Sequence, residues 1–401
     1  MSTTLRSLII QRIRESGPLT VAEFMDIALY HPVLGYYTRT PRRTGRAGDF
    51  FTSVDVGPQF GALLAAQLDE MYRLLAAAGA PEFELVEVGA SNAQLARDVL
   101  DAAEEVHPEL YTAIRLTLVE TSNAARATQR QMLGRHQNRL AAQLETLPDR
   151  VCGVIVTNEL LDALPTHAVT MTSDGLREIF IGLAGERFVE QAGLPSTPEL
   201  AHYIQRLDVS PPPGWRGEVN LAAVDWIRSA ARKLERGFMI LIDYGYSAME
   251  LFSDRHDAGT LASYHRHTAA VGTGPLKLGD PAWLACPGEQ DITSHVDLTS
   301  VRATALDEGL DELGLVDQTR FLLGLGALDV PDSKGSTGAV KHRLALKTLL
   351  VPGGLGSTHK VLLLGKHMGT PPLQGCSFRL NSKNIQRNST RHADTAGDAE
   401  T

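Results

Sequence analysis

FELVEVGASNAQLARDVL, Phe83–Leu100, is the stretch whose reading decides the fold. Phe83, Leu85, Val86 and Val88 form an apolar run that ends at Glu87 and Gly89. A turn of small residues follows, and then a helical pattern puts Leu95, Val99 and Leu100 on one face. Strand, tight turn and helix in this order form the unit by which α/β sheets hold nucleotide-like ligands at the carboxyl ends of their strands. Arg115–Glu120, RLTLVE, repeats the layout and again ends on a carboxylate. An acid at the tip of a second strand can accept hydrogen bonds from a ribose diol. The two units together point to an adenosine-containing cofactor.

Working outward, 401 residues suffice for one large α/β domain with insertions or for two domains. The 43% hydrophobic content is ample for a sizeable core. A net charge of -9 argues against a nucleic-acid partner bound by bulk electrostatics, and the Arg39, Arg42, Arg43 and Arg46 cluster reads as a solvated loop. Cys152, Cys286 and Cys376 are few, scattered and odd in number, which argues against a disulfide framework. With no long apolar run or targeting leader, no membrane insertion is expected and a cytoplasmic location is the simplest expectation.

Helices are expected over Thr4–Glu15 and from the capping box Thr20-Val-Ala-Glu23 to about Tyr30, and after Pro58 until Gly79. Core strands are expected at Phe83–Val88, Arg115–Val119 and Gly153–Thr157, with a further strand near Leu140. The intervening helices are Ala93–Glu105 and Ser122–His136. Ser173-Asp174-Gly175 between two alternating runs signals a hairpin, with Arg187–Gln191 as a third strand. Pro195–Trp215 reads as a surface excursion. Asn220–Arg236 reads as a helix closed by Gly237, before a buried strand Phe238–Ile242. A helix after Thr299, a strand at Asp317–Phe321, a helix over Ala339–Leu350 and a strand at Lys360–Leu364 complete the series. Alternating helices and buried strands give an α/β, doubly wound sheet. The expected division is an N-terminal helical segment (1–80), an α/β domain (81–370) with β-hairpin insertions at about 166–217 and 246–296, and a disordered tail (371–401).

Only Gly89 is glycine in the turn Gly89-Ala90-Ser91-Asn92-Ala93. If Ser91 or Ala93 must take positive φ, strain of about 1 kcal/mol per site follows. Thr157-Asn158-Glu159-Leu160-Leu161-Asp162-Ala163-Leu164-Pro165 begins where the apolar run Val154–Val156 stops. Asn158, Glu159 and Asp162 therefore stand at another strand end, where a second substrate would sit. Carboxylates there can hold a cationic nucleophile and orient its nitrogen toward a methyl donor, or Asn158 can simply cap a short helix. Gly48-Asp49-Phe50-Phe51-Thr52-Ser53 places Asp49 on a loop that can close over a ligand, or form an Asx turn. His265, His267 and His295 with Asp291 and Asp297 match no familiar zinc spacing, so no metal is expected.

The chain resembles the MidA-type putative S-adenosylmethionine-dependent methyltransferases, relatives of the mitochondrial complex I assembly-factor arginine methyltransferase. The matching stretches are Tyr36-Tyr37, Gly48-Asp49-Phe50 with Phe60-Gly61, Glu87-Val88-Gly89, Val119-Glu120 and Asn158-Glu159 through Pro165. They continue through Asp243-Tyr244-Gly245, Gly259-Thr260-Leu261 and Pro287-Gly288 to Asp297, so the resemblance spans about Leu19 to Lys366. It implies a class I methyltransferase-like (Rossmann-type) sheet and S-adenosylmethionine as donor. Glu87, Gly89, Ser91, Ala93, Glu120 and Asp49 would bind it, and Asn158, Glu159 and Asp162 would be catalytic. It implies a protein acceptor, with arginine the leading candidate and a respiratory-complex subunit the possible partner. The departure is GASNA where the family has GxGxG. A small-molecule methyltransferase and a non-catalytic assembly factor with a degenerate loop stay open as alternatives.

Overall fold

Strand β1, Phe83–Val88, lies inside an eight-stranded sheet and is flanked by β2, Ile114–Val119, and β4, Val151–Asn158. With β3 (Leu140–Leu144), β5 (Leu234–Tyr246), β6 (Asp311–Asp317) and β7 (His359–Lys366), the order is β3-β2-β1-β4-β5-β7-β6. The first five strands of that order run parallel, and β7 runs antiparallel to both β5 and β6. Val296–Asp297 adds a short parallel pairing at the end of β5. These details come from a computed structural model that describes residues 4–38, 52–80, 82–265, 268–271, 281–328, 337–351 and 355–378.

The strands read as continuous apolar runs because both faces of the sheet are covered. On one face Leu85, Val154, Ile240 and Leu363 pack under α1 (Gln59–Ala77) and α2 (Gln94–Val106), against residues such as Leu64, Leu68 and Val99. On the other face Val86, Ile155, Leu241 and Leu362 meet α3 (Leu221–Lys233) and α4 (Leu298–Asp307) through Ile227 and Val301. Adjacent residues of one strand thus serve opposite layers, as the two-residue side-chain period requires. The strand order reverses between β1 and β4, leaving a crevice at their carboxyl ends.

A second sheet pairs Leu19–Thr20, Gly175–Ala184, His167–Thr172 and Arg216–Val219 in that order, with Arg187–Gly193 beside Gly175–Ala184. The N-terminal helices Leu5–Ser16 and Val21–Tyr30 cover it: Ile9, Phe24 and Met25 share a core with Ile179, Ile181 and Phe188. Both helices open on capping boxes, at Thr4 and at the expected Thr20–Glu23. The hairpin insertion is thereby fastened to the start of the chain, and Tyr30 is carried to the sheet crevice.

Several elements differ from the sequence expectation. Asp317–Phe321 is not a strand: β6 ends at Asp317, whose carboxylate caps a helix, Gln318–Gly324. Pro195–Trp215 is not a mere surface excursion, since it contains the helix Glu199–Arg206 and buries Leu200, Tyr203 and Trp215. Gly237 does not close a helix but lies within β5, which starts at Leu234. In the segment expected as tail from Pro371, residues 371–378 are described and Leu373 is buried, while 379–401 lie outside the described residues.

Candidate functional site at the strand-end crevice

The loop after β1 keeps a left-handed backbone at three of its five residues: Gly89 (φ +72°), Ser91 (φ +44°) and Ala93 (φ +69°). For Ser91 and Ala93 this costs on the order of 1 kcal/mol each, because Cβ crowds the following carbonyl. The surroundings hold the shape. Ser91 N–H donates to Glu120 Oε2 at 2.9 Å, and Gln129 Nε2 donates to Ser91 O at 2.8 Å. Gly89 and Ala90 N–H both donate to Val119 O, tying the loop to the end of β2. At Ser91 and Ala93 the positive φ that glycines favour is thus kept without glycine.

Glu120 follows β2 and accepts from both Ser91 N–H and Ser122 N–H, so its carboxylate rims the crevice in a fixed orientation. Glu87 is buried within β1. Burial lifts its carboxyl to about 8; a hydrogen bond from the Ala96 backbone opposes this, and the charges of Glu120 and Asp98 add to it. Its Oε2 is buried without a hydrogen-bond partner. An unpartnered buried carboxylate oxygen beside a loop of this kind fits an α-ammonium group such as the amino-acid end of S-adenosylmethionine. The crevice is a cavity of about 700 Å³ lined by Trp226, Leu147, Glu120, Gly89, Tyr30 and Tyr37 among others.

The end of β4, next to β1, lines the same cavity. Asn158 ends β4, and Glu159 takes φ +52° while its N–H donates to Ile242 O at 2.8 Å. Asn158 Nδ2 donates to Glu159 Oε1 at 3.2 Å. The turn is anchored by Asp243 Oδ2, which accepts from Leu160 and Leu161 N–H, and burial raises Asp243 to about 7. Asp162 is buried with Oδ1 unpartnered; burial first, then the charges of Asp243, Glu159 and Asp291, push its carboxyl well up. Tyr37 Oη donates to both oxygens of Asp291 at 2.8 Å, and Tyr30 Oη donates to Ala163 O at 3.0 Å. The two rings lie 5.5 Å apart at the same end.

The structure therefore brings together Glu87, Gly89, Ser91, Glu120, Asn158, Glu159 and Asp162 in the lining of one cavity. Ala93 is buried beneath the loop, where it sets the turn into α2. Asp49 lies outside the described residues. Sequence reasoning missed Tyr30, and it named Tyr37, Asp243 and Asp291 without their roles. Asp243-Tyr244-Gly245 at the end of a buried strand was the available signal, by the same rule that found Glu87. Among the described residues no group of three His, Cys, Asp or Glu side chains could hold a metal ion. Asp297 instead caps α4 and accepts from Tyr203 Oη at 3.0 Å. No helix among the described residues is long and apolar enough to cross a membrane.

A β3-β2-β1-β4-β5-β7-β6 sheet with β7 antiparallel and carboxylates at the ends of β1 and β2 defines a class I, Rossmann-type methyltransferase. Residues 63–316 match the family model described as "Putative S-adenosyl-L-methionine-dependent methyltransferase". The chain belongs to that family and is an S-adenosylmethionine-dependent methyltransferase. It is 27% identical over 394 residues to Protein arginine methyltransferase NDUFAF7, mitochondrial, of Mus musculus, covering 90% of this chain and 79% of the relative. The Drosophila melanogaster homolog of that protein is 28% identical over 344 residues, 78% of this chain and 72% of the relative. A crystal structure from Burkholderia thailandensis with S-adenosyl-homocysteine bound superposes with a TM-score of 0.82 at 28% identity, covering 95% of this chain and 96% of that one.

Proposed function

We propose that this enzyme methylates arginine side chains of a protein acceptor in the cytoplasm, with the acceptor nitrogen held by Glu159 and Asp162. The observation that carries the reading is the acidic, tyrosine-walled end of the cavity. Asn158, Glu159, Asp162, Tyr30, Tyr37 and Asp291 meet there. A guanidinium is planar, cationic and rich in N–H donors, and it pairs with carboxylates and stacks on aromatic faces. Two named relatives are protein arginine methyltransferases, which agrees with this chemistry.

The donor supplies an electrophilic methyl on a sulfonium. Glu120 would accept from its ribose hydroxyls, Glu87 from its ammonium, and the Gly89–Ala93 loop would seat its amino-acid end. Glu159 and Asp162 would turn one acceptor nitrogen toward the methyl carbon. As the N–C bond forms, the S–C bond breaks and the sulfonium becomes a neutral thioether. The nitrogen's surplus proton passes to the carboxylate beside it. Positioning and charge supply most of the acceleration in such a transfer.

The test is methyl transfer from labelled S-adenosylmethionine into a peptide library in which arginine, lysine or histidine is the sole cationic residue. Methylarginine should form in the arginine set alone. Glu159→Gln should cost on the order of 10²-fold in turnover while donor affinity is kept. Label in the lysine set, or only in small-molecule acceptors, would overturn the assignment.

A further inference from the structure

Glu159 is gripped from behind by a residue that neither the motifs nor the cavity reveals. His359, the first residue of β7, is fully buried, with its Nε2 3.3 Å from Glu159 Oε1. Its Nδ1 lies 2.9 Å from Leu355 O. A carbonyl oxygen only accepts, so Nδ1 carries a proton there. Nε2 makes no aligned hydrogen bond, and the Glu159 carboxylate oxygen at 3.3 Å is its ion-pair neighbour. Two lone pairs at that distance would repel, so the contact is favourable only when Nε2 is protonated, as a charge pair rather than an aligned hydrogen bond.

The same Oε1 accepts from Asn158 Nδ2, so among the described residues both side-chain contacts of the carboxylate fall on one oxygen. Glu159 itself sits at φ +52°, a conformation that persists only where its surroundings enforce it. We infer that His359 is a positioning residue for methyl transfer: it clamps Oε1 of Glu159 and leaves Oε2 to face the acceptor nitrogen. Its ring also brings a basic group to a buried cluster that includes Asp162 and Asp243. Against the desolvation that would lower it, Glu159, then Asp243 and the Leu355 carbonyl, hold His359 above the ordinary histidine range. Tyr244 packs on the ring with centroids 3.9 Å apart, fixing its plane.

The inference rests on Glu159 being the acceptor-orienting group, so its test has one arm that needs no acceptor. In protein labelled at histidine, NMR should follow the His359 imidazole through a pH titration of the wild type and of Glu159→Gln. The midpoint should fall by roughly one pH unit in the variant, the usual size of a lost close ion pair. A midpoint indifferent to Glu159→Gln removes the clamp. The second arm compares His359→Leu and His359→Gln on the arginine peptides, with donor affinity measured by calorimetry. His359→Leu should lose on the order of 10²-fold in kcat with donor affinity unchanged, and His359→Gln, which keeps an N–H donor, should recover much of it. Unchanged turnover in His359→Leu, or donor affinity falling in step with kcat in both variants, overturns the positioning role. If no arginine peptide is methylated by the wild type while the NMR arm succeeds, the acceptor assignment fails and the clamp stands.

Discussion

At the scale of single residues, Glu87, proposed above to accept from the donor's ammonium, shows how burial sets the charge of a crevice carboxyl. Its carboxyl, lifted to about 8, holds a proton at neutral pH, yet only the ionised form attracts an ammonium. Binding the donor at about pH 7 should therefore expel close to one proton per site. Calorimetric titration with S-adenosylhomocysteine in buffers of different ionisation enthalpy reads this directly, and Glu87→Gln should abolish the release and weaken binding. A heat that does not vary with buffer would refute it. Glu87 and Glu120 were legible in the sequence because a carboxylate after an apolar run marks a strand end. Tyr30 was not: it meets Ala163 across a sequence separation of 133, and Tyr37 meets Asp291 across 254. His359 gave no signal at all, since it reads only as the polar start of an apolar strand. Such contacts are set by how the hairpin insertion and β7 dock, which local pattern does not encode.

Among elements, the loop after β1 leads into α2, which packs on α1. Gly61 allows that approach: a Cβ there would lie 2.6 Å from Asp98 Cβ and 3.0 Å from the Val99 backbone nitrogen. Alanine in a helix gains about 1 kcal/mol over glycine, whereas overpacking costs about 1–3 kcal/mol. The clash involves backbone of α2 and should win. Gly61→Ala should then lower the melting temperature and, by displacing the helix that follows Ala93, weaken donor binding as well. A higher melting temperature with unchanged affinity would show that α2 yields freely. Periodicity located most elements, including the antiparallel last strand, but it failed where two signals overlap. Asp317 both ends β6 and caps the next helix, so a strand-to-helix switch read as a strand. Gly237 looked like a helix stop because α3 passes into β5 with no loop between them.

For the whole molecule, buried acids, two of them lining the crevice, set the pH dependence of stability. Glu87 is raised to about 8, Asp243 to about 7 and Asp297 to about 6, each chiefly by burial, and Asp162 is raised as well. A carboxyl raised in the folded state binds its proton more tightly there than in the unfolded chain. Its contribution is full below the ordinary carboxyl range and is lost as pH rises through the folded value. His359, also raised, loses its contribution in the same direction. His295 acts oppositely: burial lowers it to about 4, so its contribution is present above the histidine range and lost as pH falls toward 4. More groups lie on the alkaline limb, where a tenfold tighter hold on a proton in the folded chain is worth about 1.4 kcal/mol before solvent relaxation. The ligand-free enzyme should therefore melt several degrees higher near pH 6 than near pH 8.5. Saturating S-adenosylhomocysteine should flatten the alkaline limb, because its ammonium gives ionised Glu87 the partner it otherwise lacks. Melting curves across that range, with and without the ligand and repeated on Glu87→Gln, separate the shares. A midpoint that climbs steadily from pH 6 to pH 8.5 would mean that these carboxylates are solvated rather than buried.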